Sequence, residues 1–109
     1  MKPIRYAVER KFSRYSVDAR AKLIVDGREI TVRTLDISEG GLGLVSPVEI
    51  PAGRSYVVEF VLPAVQGLFR AELHARNRSG FRYGFQFAPL DESNAGLLRK
   101  YERRWGILA

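Results

Sequence analysis

The 109-residue sequence has no cysteine and a single histidine, His74. The missing cysteines exclude disulfides and thiol chemistry, and a zinc site is not expected from one His. No run approaches the roughly 18 apolar residues of a membrane span, and the first residues lack the apolar core of a secretion signal. We therefore expect a cytoplasmic protein with no membrane span, no bound metal and no cofactor.

Lysine is also scarce, because only four of the 18 basic residues are Lys. The net charge of +6 favours an anionic partner, which charge alone leaves open among nucleotides, nucleic acids and anionic membranes. A guanidinium is flat and forked where an ammonium is a point charge, so the arginine bias favours planar or phosphate-bearing ligands. A carboxylate pair, a nucleophile-base couple and a phosphate-binding P-loop are all missing, so we do not expect an enzyme.

Alternation of apolar and polar residues from residue 20 onward predicts β-strands. The segments "AKLIV" and "REITVRTLDIS" flank a tight turn at Asp26-Gly27 and predict a hairpin. The apolar phase of the second segment changes after Val32, which predicts a β-bulge near Arg33 or Thr34. Further strands are expected in "GLGLVS", "SYVVEFVLP" and the hairpin "LFRAELHARNRSGFRYGFQF".

Six short strands joined by tight turns predict an all-β fold, a six-stranded antiparallel barrel followed by a C-terminal helix. The barrel is expected over residues 20–88 and the helix over about 91–105, with Asp91 or Ser93 as its N-cap. An apolar stripe on this helix is expected to pack on the barrel: Leu97, Leu98, Tyr101 and Trp105. In the last hairpin one set of aromatics is assigned to the core: Phe81, Tyr83, Phe85 and Phe87.

Residues 1–19 match neither period, and we interpret them as a flexible basic arm preceding a domain of residues 20–109. The arm contains "ERKFSRY", in which Arg10 and Arg14 are four residues apart. This spacing alone does not indicate a binding site, because arginines recur at the same spacing elsewhere in the chain. A solvated basic arm remains an alternative.

The stretch "DISEGG", residues 36–41, joins two predicted strands. Asp36 and Ser38 project to one face of a strand, and Gly40 and Gly41 let the backbone approach a ligand closely. A carboxylate accepts from the N–H edge of guanine or from an arginine, while the hydroxyl and backbone amides suit phosphate. The alternative is that these residues only form an Asx or Ser turn.

The pair Arg10-x-x-x-Arg14 and Asp36-x-Ser38-x-x-Gly41, in this order and setting, resembles the PilZ domain over about residues 8–105. The resemblance implies a split β-barrel that acts as a receptor for cyclic di-GMP and carries no chemistry of its own. Arg10 and Arg14 would grip guanine edges and phosphates. Asp36, Ser38 and Gly41 would form the opposing wall.

The resemblance also implies a conformational change on binding and a signal passed to an effector protein, which the sequence does not identify. Four residues are candidates for additional ligand contacts: Lys11, Gly40, Arg76 and Arg78. The alternatives are a small β-barrel that binds nucleic acid and a PilZ-like interaction adaptor with an idle nucleotide site. A nucleic-acid partner is disfavoured because the aromatic residues are assigned to the core.

Overall fold

The computed structural model describes residues 12–109, which form seven β-strands followed by one α-helix. The elements are β1 (Tyr15–Ser16), β2 (Arg20–Val25), β3 (Arg28–Ile37), β4 (Gly41–Val45), β5 (Tyr56–Val61), β6 (Leu68–Ser79), β7 (Arg82–Phe87) and α1 (Glu92–Trp105).

Strands β2 to β7 form a closed antiparallel barrel in the order β3-β2-β5-β6-β7-β4, which the pairing of β3 with β4 closes. The predicted six-stranded barrel with a C-terminal helix is therefore confirmed. Strand β1 is an addition that apolar alternation did not predict. It pairs with the last residues of β3, with Tyr15 opposite Ile37 and Ser16 opposite Asp36. Strand β1 lies along the same edge of β3 as β2, which pairs with the first part of that strand.

The hairpin between β2 and β3 turns at Asp26 and Gly27, whose φ angles are 49° and 86°. Both values lie in the left-handed region that two-residue hairpin turns require. The predicted bulge in β3 is present, but the register shifts between Thr34 and Asp36, so the extra residue is Leu35. Thr34 is buried in phase with Val32, and the extra residue turns Asp36 to the outer face and Ile37 into the interior.

The core lies inside the barrel, where inward-facing apolar residues of β2 to β7 meet. Tyr83, Phe85 and Phe87 belong to it as predicted, but Phe81 is 51% exposed. The assignment of Phe81 to the core was wrong because β7 begins only at Arg82, and Phe81 belongs to the turn after Gly80.

Helix α1 begins after the predicted N-cap Asp91, whose carboxylate accepts a hydrogen bond from the Asn94 N–H at 2.8 Å. Leu98 and Tyr101 are buried, as expected for the apolar stripe, whereas Trp105 is 53% exposed and does not pack in the core. Trp105 occupies the last helical position, beyond the area that the barrel covers. No helix among residues 12–109 has the length and hydropathy needed to span a membrane.

The Asn94 side chain anchors the helix to β6. Its amide donates to the Arg70 carbonyl at 2.6 Å, and its side-chain oxygen accepts from the Arg70 N–H at 3.2 Å. A buried amide with both groups satisfied stabilises one position of the helix on the barrel.

Candidate functional site

Residues 12–16 lie directly on the "DISEGG" turn. A guanidinium nitrogen of Arg14 is 3.2 Å from Oδ1 of Asp36, and the ring of Phe12 packs against Gly40, where a Cβ would lie 2.9 Å from the ring. The structure therefore brings Arg14 and Asp36 together, as the sequence analysis expected of one site. Arg10 and Lys11 lie outside the described residues.

The C-terminal residues hold β1 from its other side. The Ser16 N–H donates to the Ile107 carbonyl at 2.7 Å, and the Ala109 N–H donates to the Arg14 carbonyl at 3.0 Å. The hydroxyl of Tyr101 donates to the Ser16 carbonyl at 2.7 Å. The backbone that carries the Arg14 side chain is thus fixed between β3 and the chain's C-terminal residues.

Asp36 presents a carboxylate that the described residues leave partly unsatisfied. Its side chain is only 23% exposed, and Oδ1 is buried without a hydrogen bond although the Arg14 guanidinium is at ion-pair distance. The short ion-pair distance and the missing hydrogen bond are compatible, because a guanidinium can lie close to the carboxylate without directing an N–H at Oδ1 in hydrogen-bonding geometry. A buried acceptor without a donor is costly, so this oxygen suits an N–H donor from a ligand.

Ser38 organises the turn itself. Its Oγ accepts hydrogen bonds from the N–H groups of Gly40 and Gly41, both at 3.1 Å, and the side chain is buried. The expectation that these two amides are open to a phosphate was therefore wrong, because the Ser38 hydroxyl occupies them. The local geometry is the Ser turn that the sequence analysis held as the alternative.

Gly41 permits a close approach of β4 to β7. A Cβ at this position would overlap the carbonyl oxygen of Phe85, which is backbone and could not move aside. The neighbouring Gly40 carbonyl accepts from the Phe87 N–H at 2.9 Å. The glycine thus fixes where the turn sits relative to β7.

Arg76 and Arg78 lie on β6, which is three strands from β3 around the barrel. Arg76 donates to the Gln86 side chain at 2.6 Å. Arg78 donates to Glu49 at 2.9 Å and to the Gly80 carbonyl at 2.8 Å. The structure therefore does not bring these two arginines to Arg14, and protein acceptors already use several of their donors.

Arg78 borders an open depression of about 630 Å³ that Tyr56, Tyr83 and Phe85 line from inside the barrel. Its guanidinium lies 5.2 Å from the centre of the Tyr83 ring, and the hydrogen bond to Glu49 raises the pKa of Arg78 above its ordinary value. These contacts connect the β6–β7 hairpin to the loop that carries Glu49.

Gly43 is a site residue that sequence reasoning missed. It pairs with Asp36, and a Cβ there would lie 2.9 Å from Oδ1, so the glycine makes room for the carboxylate. The available signal was a glycine inside a strand, which often marks the close approach of another group.

Comparison with known proteins identifies the family. The PilZ domain family model matches residues 9–103. A similar solved structure is the PilZ domain with c-di-GMP of YcgR from Escherichia coli, with a TM-score of 0.55 and 19% sequence identity, covering 87% of this chain and 95% of that one. A search of curated protein sequences gives no match. At this identity the structural likeness establishes the shared fold, while the family match spans most of the sequence, so the chain belongs to the PilZ domain family.

Proposed function

We propose that this chain is a receptor domain for cyclic di-GMP and binds it where Arg14 meets the "DISEGG" turn. The observation that carries the proposal is the buried, unsatisfied Oδ1 of Asp36 beside the Arg14 guanidinium. A carboxylate oxygen and an arginine at one place complement the donors and acceptors of guanine. Membership of the PilZ family and the c-di-GMP in the similar YcgR domain support the same ligand.

In this proposal the charged residues contact the ligand and the small residues shape the site. Asp36 accepts from the N–H edge of a guanine, and Arg14, together with Arg10 from the preceding arm, binds guanine O6 and N7 or the phosphates. Ser38 and Gly41 hold the turn in position rather than supplying the main donors. Lys11 adds positive charge beside Arg10.

The other candidate contacts are weaker. Gly40 reaches a ligand only if the Phe12 ring moves off it, because the ring packs there. Arg76 and Arg78 would have to release Gln86 and Glu49. We therefore assign these three residues no role in the first encounter with the ligand.

Binding would also rearrange the segment that carries Arg14 and pass the signal to an effector protein; the predicted arm of residues 1–19 is not flexible throughout, because Val17 is buried and Ala19 hydrogen-bonds to Thr34. A ligand that takes the Asp36 oxygen and the Arg14 donors changes the contact that joins β1 to the turn. Because the C-terminal residues hydrogen-bond to the same segment, this change reaches the end of the helix. Such a coupled rearrangement is a common way for a ligand to alter a distant surface.

A nucleic-acid-binding surface finds less support in the structure. Base-stacking modules use exposed aromatic rings beside basic residues, but four of the five aromatics of the β6–β7 hairpin are buried, and within this hairpin only Phe81 is exposed. The other exposed rings of residues 12–109 lie on separate elements, Phe12 before β1 and Trp105 at the end of α1, so Phe81 offers one ring and no platform.

Isothermal titration calorimetry of the full chain with cyclic di-GMP, GTP and cyclic di-AMP tests the proposal. We expect saturable binding of cyclic di-GMP and at least tenfold weaker binding of the other two, a difference of about 1.4 kcal/mol. The Arg14→Ala variant serves as the site control. No binding of cyclic di-GMP, or equal binding of all three nucleotides, would contradict the proposal.

A further inference from the structure

Four residues form a row across the outer face of the barrel. Asp36 on β3 pairs with Gly43 on β4, which pairs with Gly84 on β7, which pairs with Asn77 on β6. Directly paired residues point to the same face of an antiparallel sheet. The face is the outer one, because the neighbouring residues of β4 and β7 are buried in the core.

The two end residues of this row lean toward each other over the two glycines. A Cβ at Gly43 would lie 2.9 Å from a carboxylate oxygen of Asp36, and a Cβ at Gly84 would overlap the side-chain oxygen of Asn77. Paired residues on adjacent strands have Cα atoms about 4.5 to 5.5 Å apart, so the Asp36 carboxylate and the Asn77 amide converge across that short gap. Any larger residue at either glycine would push one of them away.

A bulge produces this convergence. The register between β6 and β7 shifts between Ala75 and Asn77, so Arg76 is the extra residue and Asn77 pairs with Gly84. In an uninterrupted register, Arg76 would occupy the position opposite Gly84. The bulge thus places a short neutral amide, instead of a long charged side chain, next to the Asp36 carboxylate.

The geometry points to Asn77 as a ligand-binding residue that, with Asp36, grips the edge of one base of the cyclic dinucleotide. This inference rests on the proposed function and adds a residue outside the "DISEGG" and "ERKFSRY" stretches. The Asn77 side chain is exposed, and no hydrogen bond within residues 12–109 uses its amide.

The chemistry of the two groups is complementary to guanine. A carboxylate only accepts hydrogen bonds and suits the N1–H and N2–H groups of the base. An amide both donates and accepts, so Asn77 can donate to O6 while the carboxylate takes the neighbouring N–H groups. Gly43 and Gly84 contribute by leaving space for the side chains.

The test combines two substitutions with calorimetry on the full chain, using cyclic di-GMP as the probe. Asn77→Ala should weaken binding about 5- to 20-fold, which corresponds to one or two hydrogen bonds to a polar ligand. Gly84→Ala should weaken it by a similar factor, because the new methyl group displaces the amide. The double variant should bind no more weakly than either single variant, since both remove the same contact.

Matched controls separate this effect from general damage. Ser79→Ala changes another exposed residue of β6, and Gly96→Ala adds a methyl group where no atom lies within 4 Å. Both should retain wild-type affinity. Asn77→Asp, a second variant of the same shape, should bind still more weakly because a carboxylate cannot donate to guanine O6 and repels that oxygen.

Two outcomes would overturn the inference, and they differ. If the wild type binds and Arg14→Ala loses affinity while Asn77→Ala, Asn77→Asp and Gly84→Ala bind normally, the proposed function stands and the role of Asn77 falls. If the wild type does not bind cyclic di-GMP, both fall together. Thermal melts of every variant show whether each one is folded.

Discussion

Two of the four arginine-carboxylate pairs within residues 12–109, Arg78–Glu49 and Arg14–Asp36, differ in how fully the protein satisfies them. Arg78 and Glu49 are 2.9 Å apart in hydrogen-bond geometry, and Arg78 also bonds to the Gly80 carbonyl and covers the Tyr83 ring. Arg14 and Asp36 are 3.2 Å apart, and residues 12–109 supply no hydrogen bond to the buried Oδ1 of Asp36.

We infer from this difference that Arg78–Glu49 is a structural ion pair and that Arg14–Asp36 is available to a ligand. Exposed ion pairs with complete hydrogen bonds contribute modestly to stability, and Arg78 has little to gain from a new partner. A buried carboxylate oxygen without a donor gains from any ligand that supplies one. Arginines four residues apart occur in both the Arg14 region and the Arg78 region. The unsatisfied oxygen of Asp36 therefore distinguishes the Arg14 region better than its charge does.

The largest effect is expected for Arg14→Ala. It should weaken cyclic di-GMP binding about 30- to 150-fold, or about 2 to 3 kcal/mol, because hydrogen bonds to charged groups are lost. The melting temperature should change little, since Arg14 is outside the core. Arg14→Lys should restore part of the affinity, because the charge returns without the flat fork.

Titrations and thermal melts of these variants measure both quantities, with Arg78→Ala as the matched control. If the Arg78→Ala and Arg14→Ala variants lost affinity equally, the contrast between the two pairs would have no functional meaning.

Asp36→Asn should weaken binding about tenfold, or about 1.4 kcal/mol. The amide has nearly the same shape but offers N–H donors where guanine also presents donors. The folded state should not lose stability, because the change neutralises a buried oxygen that has no hydrogen bond. Titration measures the affinity for cyclic di-GMP, and chemical denaturation measures the free energy of unfolding. Asp18→Asn, in the exposed ion pair with Arg33, is the control.

Arg78→Ala should affect stability instead of binding. The loss of an exposed ion pair and a cation-π contact should lower the free energy of unfolding modestly. The loss should shrink at high salt, where exposed charges are screened. Urea denaturation at low and high salt measures it, and a cost independent of salt would indicate that packing on Tyr83 dominates.

The smallest effect concerns Glu102 near the end of α1. Burial, and secondly the charge of Glu39, raises the pKa of Glu102, while Arg99 opposes the rise. A carboxyl whose pKa is raised by folding contributes stability below its ordinary pKa and loses that contribution as pH rises through the raised value. Glu102→Gln should therefore melt slightly higher than wild type at neutral pH, and the difference should vanish below about pH 4. Thermal melts over a series of pH values measure the difference, with Glu29→Gln in the exposed part of β3 as the control variant.

The sequence was sufficient for the parts of the fold that depend on local patterns. Alternation of apolar and polar residues predicted the barrel strands, Asp26-Gly27 predicted the first hairpin turn, and Asp91 was one of the two predicted N-caps of the helix. Strand β1 was not predictable, because two residues carry no period and their partners include the distant C-terminal residues. The exposure of Trp105 could not be predicted, because the apolar stripe of the helix does not show where the barrel surface ends.

The site was predicted less completely. The meeting of Arg14 with Asp36 followed from the two motifs, and the structure shows their contact. The occupation of the Gly40 and Gly41 amides depends on the rotamer of Ser38, which sequence does not give. The position of Asn77 depends on a bulge that is visible only when β6 and β7 are paired.

The bonds between β1 and the C-terminal residues have a consequence for folding. The Tyr101 hydroxyl and the Ser16 carbonyl are 85 residues apart in the chain, so their hydrogen bond closes a long loop. Contacts of such high sequence separation form late, because the cost of closing a long loop precedes any gain. We therefore expect the segment that carries Arg14 to dock late and open early, so that amide hydrogen exchange at Ser16 and Ala109 is faster than in β5 or β6.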